Sequence, residues 1–201
     1  MIEFIREYAG LISGIISFWA YLIYIFAILR GQTKPSRSTW WILTLVGALI
    51  LGSAYSLGAR ESIWIQLSYV VGPFIVAILS VKHGEGQGFS RLDIVCIFGA
   101  LISASFWIIF NSPLIGLIGS IGVDFIGLIP TLKKSFFKPE EESPESWLTE
   151  TFASFINMLA VTAWFSLEHK DWIYALYLFS VNGLITLFLW RKRLWSHTQG
   201  I

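Results

Sequence analysis

Charge is scarce in this chain. Asp, Glu, Lys and Arg make up 13% of its 201 residues and hydrophobic residues 55%, where a soluble domain carries about 25% charged residues. With mean hydropathy at +0.68, there is more apolar surface than one core of this size hides, and the surplus is expected to face lipid. An excess of one sign is missing as well. The 14 Lys and Arg stand against 13 Asp and Glu, so there is no basic field of the kind phosphate backbones require, and no nucleic acid is expected as a partner. The single cysteine, Cys96, cannot close an intramolecular disulfide and sits in an apolar run where a small buried thiol is ordinary. The three histidines, His83, His169 and His197, fall in loops or the tail without companions at metal-ligand spacing, so no metal is expected. Phosphate cradles, nucleophile elbows and zincin motifs are absent, and the chain reads as no enzyme, with no cofactor. MIEFIREY has acidic residues where a signal peptide has a basic stretch, and its apolar run is read as mature structure.

Long apolar runs are what the sequence has in plenty. A bilayer core needs about 20 apolar residues per helical crossing, and seven windows fit: 9–29, 39–58, 63–81, 92–110, 113–132, 147–167 and 172–190. Breaker-rich segments such as RGQTKPSRS, KHGEGQGFS and KKSFFKPEEESPES separate them. With the N-terminus outside, the inner loops hold 11 Lys and Arg (30, 34, 37, 82, 91, 133, 134, 138, 191, 192 and 193) and the outer side 3, Arg6, Arg60 and Lys170. That bias is the one cytoplasmic loops show. The expected fold is therefore all-α: a polytopic membrane protein of seven transmembrane helices, N-out and C-in. Its place is an inner (plasma) membrane of bacterial type with a cytoplasmic C-terminus. Trp40, Trp41, Trp64, Trp147, Trp172 and Trp190 read as interfacial anchors.

The first and last three windows carry the same landmarks in the same order, as transporter repeats do. KPSRSTWW follows window one and KPEEESPESW follows window five; SLGARESIW and SLEHKDW close windows two and six. Trp64 and Tyr69 match Trp172 and Tyr177 at the same spacing of five. The domain plan is then 1–88 as a first three-helix repeat, 89–111 as a connector helix and 112–201 as a second, parallel repeat with a basic tail. This three-plus-one-plus-three plan, with GLIPTLKKS at the inner end of window five, resembles the PQ-loop and SWEET transporter superfamily. Pro130-Thr131 stands where the family signature has Pro-Gln. Nicotinamide riboside carriers of the PnuC type share the plan, and their ligand sites are aromatic and Asn-lined. The resemblance implies alternating access around a central pocket. It also implies that Asn182, in VNGLIT on the last helix, lines that pocket, with Phe74 of GPFIV at the matching point of the first half.

Asp124 is the one ionisable residue read as lying well inside a helix, nine residues before Lys133, or about 13 Å along the axis. It shares an arc of about 80° with Gly116, Ser120 and Gly127. An acid there is costly and points to a proton carrier or a solute ligand, packing by shared hydrogen bonds being the plainer alternative. In window six, Glu150, Ser154, Asn157, Val161 and Trp164 form a second stripe. Glu150 reads as solvated near the headgroups, and Asn157 and Trp164 as pocket lining or interhelical glue. Tyr55, Tyr69 and Phe74 complete an aromatic half of the pocket. Pro73 and Pro130 read as bends or hinges. The acidic run EEESPE reads as a solvated face balancing nearby lysines. A retinal pigment would need a lysine in window seven, and there is none. The expected function is a small-solute membrane transporter, facilitative or proton-linked through Asp124, for a sugar, amino acid or vitamin-like solute. The alternative is a transport-inactive receptor or scaffold of the same fold.

Overall fold

A computed structural model describes residues 2–84, 91–161, 164–166 and 170–198. Readings that rest on His169, or on the side chains of His197, Lys192 and Arg193, lie outside the described residues. Seven α-helices are present among them: α1 (Ile2–Leu29), α2 (Arg37–Ser56), α3 (Ile63–His83), α4 (Arg91–Phe110), α5 (Pro113–Phe137), α6 (Pro144–Asn157) and α7 (Asp171–Thr198). Short 3-10 turns occupy Pro139–Glu141 and Met158–Ala160, and no strand occurs among the described residues. Five helices, α1, α2, α3, α5 and α7, are long and apolar enough to cross a membrane, and α4 adds a shorter apolar stretch, Ile94–Phe110. Large apolar side chains such as Ile15, Trp19, Phe98, Ile108 and Phe152 are exposed on the outside. A protein in water does not spread apolar surface so widely; these are the helices and the surface of a membrane protein.

Helix starts follow from local chemistry. Proline opens α5 and α6, where a missing N–H costs nothing because the first turn has no acceptor for it. Pro73 and Pro130 lie inside α3 and α5, and both helices run on past them, as lipid-embedded helices allow when neighbours accommodate the freed carbonyl.

The sixth element departs from the sequence reading, which expects an unbroken crossing over 147–167. α6 begins earlier, at Pro144, and ends at Asn157; the 3-10 turn tightens its last residues and Val161 is extended, with φ −63° and ψ 130°. Hydropathy reports an apolar environment and not a helical backbone. The segment after Asn157 packs on α1, with Ala160 and Val161 buried, so protein rather than lipid surrounds its irregular backbone.

Six helices close a ring in the order α1, α3, α2, α5, α7, α6, each packed on the next and α6 on α1, while α4 lies outside against α5 and α2. Residue pairs give the directions. Gly14 meets Trp64 and Tyr21 meets Gly72, so α1 and α3 run parallel; Asp124 meets Tyr177 and Phe136 meets Phe188, so α5 and α7 do too. Ser13 meets Asn157 and Ser17 meets Glu150, making α1 and α6 antiparallel. Small residues permit the closest approaches. A Cβ at Gly47 would lie 2.5 Å from the carbonyl oxygen of Tyr69, and one at Gly72 would lie 2.3 Å from the Tyr21 ring.

A central polar cavity as candidate functional site

Inward-facing side chains of all six ring helices leave a cavity of about 40 Å³ open to the centre of a water molecule. Since one water needs roughly 10–15 Å³ on that measure, a few waters fit. Two carboxyl groups line it, Asp124 from α5 and Glu150 from α6, together with Asn182 of α7 and Ser146 of α6. Aromatic walls come from Tyr21 and Tyr24 of α1, Trp40 of α2, Tyr69 of α3, Trp147 of α6 and Tyr174 of α7. No Lys, Arg or His is among the lining residues.

Glu150 is the surprise of the site. The sequence reading places it, solvated, near the headgroups, yet it is 4% exposed. Its two oxygens accept from Ser17 Oγ of α1 at 2.9 Å each, and Oε2 accepts from Tyr69 Oη of α3 at 3.1 Å. The reason is the early start of α6 at Pro144, which puts Glu150 nearly two turns into the helix. Asp124 is therefore not the only acid at depth. Its own Oδ2 accepts from Tyr177 Oη of α7 at 2.5 Å. Asn182 joins the two sides, its Nδ2 donating to Tyr69 Oη at 2.6 Å and to Ser154 Oγ at 2.8 Å. The chain Asn182, Tyr69, Glu150, Ser17 thus runs across the cavity from α7 through α3 and α6 to α1.

The remaining expected site residues divide. Tyr69 and Pro73 line the cavity with Asp124 and Asn182. Asn157 does not line it, although it is buried on the Glu150 face of α6: its Oδ1 accepts from Ser13 Oγ at 3.4 Å and its Nδ2 has no partner among the described residues. Three aromatics lie elsewhere. Tyr55, at the C-terminal end of α2, is exposed with the Arg60 guanidinium over its ring. Phe74 stands about 100° round the helix from Pro73 and is exposed, with its ring edge against Trp41. Trp164 falls in the turn beyond α6, exposed beside Phe165. Pro130 sits within α5 outside the lining. Trp40 and Trp147, read from sequence as anchors, line the cavity as well. The signal for Tyr21 and Tyr24 is present in the sequence as the continuation of Ser13 and Ser17 along one face of α1.

At the end of the bundle that carries the α1–α2 loop, the EEESPE run also departs from its expected role as a solvated face. Glu142 is buried and forms an ion pair with Lys134 at 2.8 Å. Its Oε2 accepts from Trp147 Nε1 at 3.1 Å and from Tyr24 Oη at 3.3 Å. Two cavity walls are thereby tied to α5. Lys134 Nζ further donates to the Lys34 carbonyl at 3.1 Å. Comparison of the chain with family models, curated proteins and solved structures finds no match.

Proposed function

We propose that the protein is a small-solute carrier working by alternating access, of PQ-loop and SWEET-like type, built as three-plus-one-plus-three helices with its N-terminus outside and C-terminus inside. The observation that carries the proposal is the cavity: it lies within a ring to which residues 1–88 and 112–201 each give three helices, and two carboxyl groups line it. Further support comes from the matching of neighbours. In each half the third helix packs between the other two, and the first helix of each half packs on the second helix of the other, α1 on α6 and α5 on α2. A two-fold relation between parallel repeats requires that pattern. In this reading the halves rock about the α1–α6 and α2–α5 contacts, and Asp124 takes part in solute binding or proton coupling.

Uptake into proteoliposomes tests the proposal. Wild-type protein is expected to accumulate or equilibrate a small solute, and Asp124→Asn to lower the rate at least tenfold or to remove its dependence on a proton gradient. Absence of uptake for neutral and charged small solutes alike counts against a carrier. A second reading, a receptor or scaffold with no transport, is favoured by the Glu150 network, which bonds α6 of one half to α1 and α3 of the other. Ligand-dependent stabilisation without flux is its signature.

A further inference from the structure

We propose that the solute taken by the cavity is a small organic ammonium ion; the inference rests on the carrier reading for its transport but not for its binding. Among the described residues, the cavity is lined by two carboxyl groups and no basic side chain. The groups bonded to Glu150 and Asp124 are, among the described residues, neutral: Ser17 and Tyr69 for the first, Tyr177 for the second. A buried carboxyl group is either protonated or paired with a positive charge, and the Lys134 ammonium is engaged with Glu142 outside the cavity lining. An ammonium ion entering the cavity supplies that charge and displaces the proton. The walls narrow its chemistry. Four tyrosines and two tryptophans line the space, and aromatic faces attract ammonium groups, most strongly where water is excluded. A neutral sugar would gain nothing from the charge either acid can carry. A bare metal ion would find only two carboxylates and no cluster of three or more acid, His or Cys ligands among the described residues. The size also fits, since about 40 Å³ is space for a few waters or one compact cation.

Tetramethylammonium is the apt probe, because its charge is permanent and it has no neutral form that leaks through lipid. In detergent, tetramethylammonium chloride is expected to raise the melting temperature of the whole chain saturably. Sodium chloride at equal ionic strength and tert-butanol, a neutral molecule of similar shape, are expected not to. Glu150→Gln is expected to weaken the apparent affinity at least tenfold. Asp124→Asn, which removes a carboxyl bonded by Tyr177, gives the same test if the first variant fails to fold. An equal response to sodium chloride or tert-butanol, or unchanged affinity in a folded variant, overturns the proposal. Saturable binding without proteoliposome uptake upholds this site while removing the carrier reading. Uptake of a neutral solute with no tetramethylammonium binding does the reverse.

Discussion

Glu142 and Glu150 show what a single residue's surroundings decide. Both sit in stretches that read as solvated, and both are buried, each by a different device: Glu142 by an ion pair and two side-chain donors, Glu150 by hydroxyl groups alone. Sequence gives the depth of a charged residue only when the helix start is known, and Pro144, not Trp147, sets it here. Asp124, in mid-window, was legible for that reason, whereas Asn182, which also lines the cavity, was reached through the family resemblance. Tyr55, Phe74 and Trp164 were not, because residue type says nothing of which way a helix face turns or where a helix stops. The Glu142 pair makes a sharp prediction. Lys134→Met leaves a buried carboxylate without its counter-charge and is expected to cost about 3 kcal/mol, seen as a lower melting temperature in detergent. Lys134→Met combined with Glu142→Gln is expected to regain most of that loss. Equal destabilisation by the single and the double variant would mean that the pair is not what matters there.

Among the elements, the six apolar windows that match helices were readable from length and hydropathy alone. The shortened α6 was not, since its apolar continuation is buried against α1 and hydropathy does not distinguish that from lipid. What holds the helices at their spacing is visible only in three dimensions. Gly47 and Gly122 look alike in sequence, yet a Cβ at Gly47 would meet the Tyr69 carbonyl and one at Gly122 would meet nothing within 4 Å. Gly47→Ala is expected to force α2 from α3, with a loss of at least 2 kcal/mol, in the range of an overpacked core. Gly122→Ala is expected to be neutral or stabilising by up to about 1 kcal/mol, as for an unhindered helix position. Thermal unfolding of both variants in one detergent checks the contrast, and similar melting temperatures would contradict the packing described.

For the whole molecule, the order of landmarks suggests two parallel halves and the distribution of Lys and Arg an orientation, and the packing order around the ring is compatible with such halves. Orientation is a separate matter that fusion reporters answer. A C-terminal green fluorescent protein is expected to fluoresce, as it does in the cytoplasm, while alkaline phosphatase at the same position is expected to be inactive. In the carrier proposed above, the central cavity opens in turn to each side of the membrane. Leu178 lines the cavity and takes no part in its hydrogen bonds, so Leu178→Cys in a Cys96→Ala background places one thiol there. Labelling it with a membrane-impermeant thiol reagent, from the outside of intact vesicles and of inverted ones, tests the claim most directly. Modification from both sides is expected, slowed by a bound solute. A thiol that reacts from neither side, or from one side only under every condition, would contradict it.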